Sequence, residues 1–174
     1  MDEKNKIPGV SFIKRNIGTI IGLILLVIIV SISTPKFLTS SNILNLLKSN
    51  SVNAIISCGM LLAILMGEID ISVGSTVGLS GIIGAYMITN VGLPVVPTVL
   101  ICLGVGALVG IVNGVAISYL KVPAFVATLA TQSIGRGLTE IISGGVTIRV
   151  RNTGYTALGN QNVAGISIII IYAA

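Results

Sequence analysis

The chain has 174 residues, of which 53% are hydrophobic and only 9% are charged, and its formal net charge is +5. A soluble domain typically carries about 25% charged residues, so this composition excludes an ordinary water-soluble globular protein. The absence of histidine removes the commonest general base and the commonest metal ligand. With 4% aromatic residues and no dense basic run, we expect no nucleic-acid partner, and membrane lipid as the surrounding medium.

The first predicted element is a spanning helix over residues 17–33, an uncharged apolar run ended by Pro35. The uncharged stretch is longer than the apolar core of a signal peptide, about 7–15 residues, so we expect it to be retained. The loop that follows has Leu and Ile at helical spacing. It predicts either a short amphipathic helix over residues 42–47 or a plain loop.

Further apolar runs predict an all-α fold, a polytopic membrane protein with about five spanning helices and the start of a sixth. The later spans cover residues 52–66, 73–89, 97–119 and 124–143, with an incomplete run over 166–174 after a polar loop. Residues 1–174 then form a single transmembrane domain. Half a helix cannot satisfy its backbone across a bilayer, so we expect the chain to be the truncated N-terminal part of a longer protein.

The distribution of basic residues predicts the orientation. The tail carries Lys4, Lys6, Lys14 and Arg15, whereas the first loop carries Lys36 and Lys48. The positive-inside rule therefore places the N-terminus in the cytoplasm. Alternation of the spans then places Arg149 and Arg151 outside, against that rule, so the orientation is defined only as far as the fourth span.

Two carboxylates, Glu68 and Asp70, interrupt an otherwise uncharged region between residues 49 and 120. Asp70 and Ser72 directly precede the third predicted span, where an acid or a hydroxyl can cap the helix and suit its dipole. A polar break near a translocation path is the second interpretation, because short segments there expose carboxylates to water. The two interpretations are compatible and both stay open.

Several polar residues lie inside the predicted spans. They are Asn113, Thr128, Thr131 and Gln132. Each can bond across helices for a modest ~0.6 kcal/mol, and Asn113 and Gln132 can instead line a polar cavity. No Ser-His pairing, metal-ligand cluster or GxxxxGK[ST] sequence is present, so we predict neither an enzyme nor a bound cofactor or metal.

Glycines recur every four residues on one face of two predicted spans. They are Gly74 and Gly78 in the third span, and Gly106, Gly110 and Gly114 in the fourth. Small residues allow close helix approach in lipid, so we predict intramolecular helix packing there, or a sliding interface in a moving transporter. Cys58 and Cys102 lie in apolar runs and are interpreted as small buried packing residues.

Residues 51–81, SVNAIISCGMLLAILMGEIDISVGSTVGLSG, resemble the signature region of permease subunits of bacterial ABC importers for sugars of the ribose, xylose, arabinose and galactose type. A later segment, VNGVAISYLKVPAFVATLATQSIGRGLTEIISGG, is similar to a second motif of that family. Order and spacing agree from about residue 43 to residue 145. Glu68 departs from the family pattern, in which glycine is usual, and the sequence contains no EAA-like coupling segment.

The resemblance implies a permease subunit that forms part of a monosaccharide pathway through the bacterial inner membrane. It also implies a second permease chain (in a homodimer or a heterodimer), a cytoplasmic ATP-binding subunit that holds the ATP, and an extracytoplasmic sugar-binding protein. Two other hypotheses stay open. One is a fragment of a secondary transporter that uses Glu68 and Asp70 for ion coupling, and the other is a non-functional truncated remnant.

Overall fold

The structure, a computed structural model, describes residues 15–163 and 166–173. The basic tail residues Lys4, Lys6 and Lys14, on which the predicted orientation depends, lie outside this range. The chain divides into two compact units, the first ending at Leu47 and the second beginning at Lys48.

The described part of the chain is all-α apart from one very short hairpin. Its helices are α1 Ile17–Ser33, α2 Ser40–Leu65, α3 Val73–Tyr86, α4 Val95–Ser118, α5 Ala124–Ser143, α6 Thr153–Asn160 and α7 Ile168–Ala173. A π-helical turn, Met87–Val91, extends α3. Strand β1, Asn162–Val163, pairs antiparallel with strand β2, Ile166–Ser167.

Two segments differ from the elements expected from the sequence. Residues 40–47 form neither a separate short helix nor a loop, because α2 begins at Ser40 and runs without a break to Leu65. The segment expected to be a polar loop contains α6, which begins where the Asn152 side chain accepts a hydrogen bond from the backbone N–H of Tyr155 at 3.1 Å. This is the N-cap bond that asparagine favours, and it starts a helix without an apolar run.

Glycine ends two of the helices in the same way. At the end of α2, Gly67 adopts a φ of 77°, and the backbone N–H of Glu68 donates to the carbonyl of Ala63 at 3.0 Å. At the end of α5, Gly144 adopts a φ of 64°, and the N–H of Gly145 donates to the carbonyl of Glu140 at 3.1 Å. Both ends are Schellman motifs, which need a left-handed residue that glycine supplies without a steric penalty. The first motif places Glu68 directly after α2.

Of the described helices, α2 and α4 are long and apolar enough to cross a membrane. Helix α1 is apolar but has 17 residues, and it contains no buried residue. Apolar side chains are exposed along its length, for example Leu23 at 63% and Ile32 at 79%. Exposure of this extent is typical of a surface that faces lipid or a partner rather than water.

The second unit has an interior richer in polar than in apolar side chains. Among the described residues, the buried polar set is Ser51, Ser72, Ser75, Thr98, Asn113, Thr128 and Ser167, against the buried apolar set Leu79, Ala85, Ile88, Ala124 and Ala127. Helix α3 packs against both α4 and α5. Small polar residues suit helix interfaces in membranes, where packing and interhelical hydrogen bonds replace the hydrophobic effect.

Candidate functional site

The acidic turn between α2 and α3 is organised by Asp70. Its Oδ1 accepts hydrogen bonds from the backbone N–H of Ser72 at 2.8 Å and from the Ser72 hydroxyl at 2.6 Å. Ser72 is the N-cap residue of α3, and within the described residues its side chain makes no bond to the first turn of the helix. Asp70 therefore satisfies one free donor at the helix start, as a cap does, whereas the Ser72 hydroxyl bonds Asp70 instead of capping the helix.

A buried amide connects this turn to two helices. Asn113 on α4 donates from Nδ2 to Ser72 Oγ at 3.0 Å. Its Oδ1 accepts from the Thr131 hydroxyl on α5 at 2.8 Å. Ser72 is 1% exposed and Asn113 is 6% exposed, so both are shielded from water. Buried polar groups are costly unless they are paired, and here each of these side chains has a partner.

Thr128 provides a second connection between the turn and α5. Its hydroxyl lies 2.8 Å from the carbonyl of Ala124 and 3.4 Å from the carbonyl of Ile69. The residue is 1% exposed. The turn is thus bonded to α4 through Asn113 and lies against Thr128 of α5, whose shorter hydrogen bond is to its own helix.

Two cavities adjoin the acidic turn. The larger, of about 340 Å³, is lined by Ala63, Met66, Glu68, Ile69, Asp70, Gly110, Asn113, Gly114, Ile117, Ser118, Ala124 and Thr128. The smaller, of about 140 Å³, is lined by Asp70, Ser72, Val73, Thr76, Val77, Gly106, Val109, Gly110 and Asn113. Asp70, Gly110 and Asn113 belong to both linings. Pockets for small molecules are about 300–1,000 Å³ and combine apolar walls with a few polar groups, as the larger cavity does.

A third and larger cavity has a different chemistry. It measures about 580 Å³ and lies between α3, α4 and α5, where its lining includes Leu79, Val105 and Leu138. Thr131 also reaches this lining, but its hydroxyl already donates to Asn113. A polar solute would find few hydrogen-bonding partners there, so the cavities beside Asp70 are the better candidate site despite their smaller size.

The structure brings together most of the site residues predicted from the sequence. Glu68, Asp70 and Asn113 line the larger cavity, and Ser72 lines the smaller one. Gln132 is half-buried and belongs to neither lining. From the sequence, Thr131 and Thr128 were predicted only to bond across helices. In the structure the Thr131 hydroxyl bonds Asn113, and the Thr128 hydroxyl lies 3.4 Å from the carbonyl of Ile69.

The glycines of the four-residue repeats have open space around them in the described part of the chain. A Cβ added at Gly74, Gly78, Gly106, Gly110 or Gly114 would meet no heavy atom within 4 Å among the described residues. Helix packing through these glycines stays a prediction. Three of them line the cavities, Gly110 both of them, Gly114 the larger and Gly106 the smaller. Their lack of a side chain leaves the α4 wall open beside Asp70.

The close helix contacts occur at two other glycines. A Cβ built at Gly135 on α5 would lie 3.1 Å from Ser75 Oγ and 3.2 Å from Ser75 Cβ on α3. A Cβ built at Gly84 on α3 would lie 2.7 Å from the Tyr155 hydroxyl and 2.8 Å from Cys102 Sγ. Neither glycine belongs to a four-residue repeat on its helix, so spacing within one helix could not identify them.

Tyr155 joins α6 to the α3–α4 pair. The Cys102 thiol beneath it donates to the carbonyl of Ser80 at 3.3 Å and is only partly buried, in keeping with a packing role. Cys58, by contrast, is exposed, so its predicted burial is wrong. Burial raises the pKa of the Tyr155 hydroxyl, and the neighbouring Cys102 raises it further. The phenol is thus held in its neutral form.

Among the described residues, no group of three or more histidine, cysteine, aspartate or glutamate side chains lies close enough to hold an ion. The chemistry available beside the turn is that of hydrogen-bond exchange, through two carboxylates, an amide and hydroxyl groups.

Comparison with known proteins shows that the chain matches a family of transport permeases. Residues 42–174 match a protein family described as the permease component of the branched-chain amino acid transport system. The chain is 40% identical over 157 residues to the ribose import permease protein RbsC of Haemophilus influenzae, which covers 86% of this chain and 47% of that protein. It is similarly 40% identical over 158 residues to RbsC of Bacillus subtilis, covering 90% of this chain and 49% of that protein.

A third relative is more distant. The xylose transport system permease protein XylH of Escherichia coli is 34% identical over 125 residues, covering 72% of this chain and 32% of that protein. The chain therefore spans about half the length, or less, of the curated relatives that it matches. No solved structure matches it.

Proposed function

Because the chain belongs to the family of permease components of the branched-chain amino acid transport system, we propose that it forms part of the pathway through which an ABC importer carries a monosaccharide across the bacterial inner membrane. The observation that carries the proposal is the 40% identity to ribose import permeases over most of the chain. The matched relatives are named for ribose and xylose, which supports a sugar rather than an amino acid as the substrate.

The chemistry of the acidic turn supports a sugar pathway. A monosaccharide presents several hydroxyl groups, each of which donates and accepts hydrogen bonds. The larger cavity offers acceptors at Glu68 and Asp70 and a hydroxyl at Ser118, between apolar walls. Such a lining can replace the hydration of a sugar at membrane depth without binding it so tightly that it stays.

The proposed assembly follows the family resemblance. The chain would lie in the membrane with about five spans, its N-terminus in the cytoplasm, beside a second permease chain. A cytoplasmic subunit would bind and hydrolyse ATP, so this chain would need no cofactor of its own. An extracytoplasmic sugar-binding protein would deliver the substrate.

Uptake by the encoding bacterium tests the proposal. We expect deletion of the gene to abolish high-affinity uptake of radiolabelled ribose or xylose, and expression of the gene in trans to restore it. In membrane vesicles that contain the whole importer, uptake should require ATP inside the cytoplasmic compartment and should persist when a protonophore collapses the proton gradient.

The same assay separates the competing hypotheses. Uptake that needs an ion gradient and no ATP would support a secondary transporter with Glu68 and Asp70 as coupling groups. Unchanged sugar uptake in the deletion strain would contradict the proposed function.

A further inference from the structure

Four side chains at the site form a hydrogen-bond chain in which every donor points the same way. The Thr131 hydroxyl donates to Asn113 Oδ1 at 2.8 Å, its shortest contact, while the Ala127 carbonyl of its own helix lies at 2.9 Å. Asn113 Nδ2 donates to Ser72 Oγ at 3.0 Å. The Ser72 hydroxyl then donates to Asp70 Oδ1 at 2.6 Å. We call these residues, Thr131, Asn113, Ser72 and Asp70, the relay. The relay starts on α5, crosses α4 and ends at the carboxylate.

The direction of the relay depends on the amide. An amide both donates and accepts, so Asn113 can receive from Thr131 and give to Ser72 at once. With its oxygen and nitrogen exchanged, Asn113 would require the Ser72 hydroxyl to donate to it, and Ser72 would then lose its bond to Asp70. The direction that the structure shows is the one that keeps the Ser72 hydroxyl bonded to Asp70. In such chains each bond polarises the next, and the last bond, to a carboxylate, is charge-assisted.

The bonds at the end of the relay determine which oxygen of Asp70 is available to other hydrogen-bond donors. Oδ1 is engaged by two donors from Ser72. The hydrogen bonds of the described residues leave Oδ2 without a partner, while Asp70 lines both cavities. With Oδ1 held by two bonds, rotation of the carboxylate is restricted, so Oδ2 keeps one orientation and is the oxygen left for another partner.

We propose that Thr131 and Asn113 are positioning residues, which act through Ser72 to hold the Asp70 carboxylate in one orientation, so that Oδ2 accepts hydrogen bonds from hydroxyl groups of the passing sugar. The inference rests on the proposed function, since it assigns a role within that same site. Selectivity for a hydroxylated solute then depends on Thr131 and Asn113, although neither residue needs to contact the solute.

The sequence allows the carboxylate to be observed directly. The chain contains only two aspartates, Asp2 and Asp70. In an Asp2→Asn background, labelling with [4-¹³C]aspartate therefore leaves one labelled side chain, and the infrared stretching band of its carboxylate reports hydrogen bonding at Asp70. We expect Thr131→Val, which keeps the shape but removes the first donor, and Asn113→Leu, which removes the amide, to shift this band.

The chain offers matched controls. Thr98 is 0% exposed and its hydroxyl donates to the carbonyl of Pro94 at 2.9 Å, outside the relay. Thr98→Val therefore loses a buried threonine hydroxyl on α4 without touching the relay, and should leave the Asp70 band unchanged. Thr131→Ser keeps the hydroxyl and should restore the wild-type band. If Asn113→Leu fails to fold, Thr131→Val alone decides the result.

Transport provides the second readout, in vesicles that contain the whole importer. For the transported sugar we expect Thr131→Val to raise KM about 10-fold or more, the size of a hydrogen bond to a charged group. A deoxy analogue that lacks the recognised hydroxyl should be affected much less, so that discrimination between the two sugars falls. Thr98→Val and Thr131→Ser should keep both the KM and the discrimination.

Each outcome bears on the inference. A band shift together with reduced discrimination, confined to the relay variants, supports it. An unshifted band in a folded Thr131→Val protein would overturn it, and so would a shifted band with wild-type discrimination. If the wild-type importer takes up no sugar, the proposed function fails and the transport role of the relay fails with it, while the band still shows whether the relay exists.

Discussion

Gly135 of α5 packs closely on Ser75 of α3, and replacing the glycine with alanine tests that contact. The new Cβ would lie 3.1 Å from Ser75 Oγ and 3.2 Å from Ser75 Cβ, closer than ordinary van der Waals contact. Ser75 is 7% exposed, and its hydroxyl donates to the carbonyl of Ser72 at 2.7 Å, so it has little freedom to withdraw. Overpacking of this kind costs about 1–3 kcal/mol.

Gly137 supplies the matched control because it lies two residues away in the same helix. A Cβ at Gly137 would meet nothing within 4 Å. Both substitutions gain about the same helix propensity, ~1 kcal/mol for glycine to alanine, so this term cancels when the two variants are compared. We therefore expect Gly135→Ala to have a free energy of unfolding lower than that of Gly137→Ala by about 1–3 kcal/mol.

The assay is reversible unfolding of the chain in mixed micelles by increasing SDS, followed by far-ultraviolet circular dichroism. Ser75→Gly should relieve the collision, so the double variant should recover part of the loss beyond simple additivity. Equal stabilities of the two alanine variants, to within about 0.5 kcal/mol, would refute the close α3–α5 contact.

Two further predictions concern the junction of α6 with α3 and α4. In a Cys58→Ser background, Gly84→Ala should speed maleimide labelling of Cys102. The new Cβ would lie 2.7 Å from the Tyr155 hydroxyl and must displace it. Gly81→Ala is the control, because a Cβ there would meet nothing within 4 Å. Labelling at the wild-type rate would contradict the contact. Burial raises the pKa of Tyr155 above 10.0, so its contribution to stability is fully present below that pH and is lost as the pH rises through the raised pKa. Titration of tyrosinate absorbance, with Tyr155→Phe to assign the signal, should show this delayed ionisation, and a midpoint at or below that of the other tyrosines would contradict it.

The helices were largely predictable because their signals are local. Apolar runs and the breaks between them predicted residues 17–33 and 124–143, and α1 and α5 occupy these same residues. The start of α2 at Ser40 was missed because no proline or glycine separates residues 40–47 from the apolar run. A polar sequence at helical spacing can continue a helix as readily as it can form a loop, and the sequence does not distinguish the two.

The site was predictable in its residue types but not in its connections. Asp70, Ser72 and Asn113 were identified because polar residues in an apolar chain are conspicuous. Their bonding was not, since Asn113 lies 41 residues from Ser72 and the contact depends on how α4 packs against α3. Gln132, as conspicuous as Asn113, lines neither cavity. Which of the two side chains reaches the cavities depends on how its helix is rotated relative to the neighbouring helices. That rotation cannot be determined from a single sequence.

The contact at Gly135 and the site at Asp70 are parts of one arrangement. Ser75, which packs on Gly135, donates to the carbonyl of Ser72, and Thr76 also donates to that carbonyl at 3.0 Å. The side chain of Ser72 meanwhile carries the relay to Asp70. These bonds lie within the first turn of α3, so Gly135 of α5 packs directly on the segment that carries Ser72 and follows Asp70. Membranes give little drive for helix association, so small residues and polar bonds at close contacts matter for helix packing, and here both occur at the start of α3 beside the acidic turn.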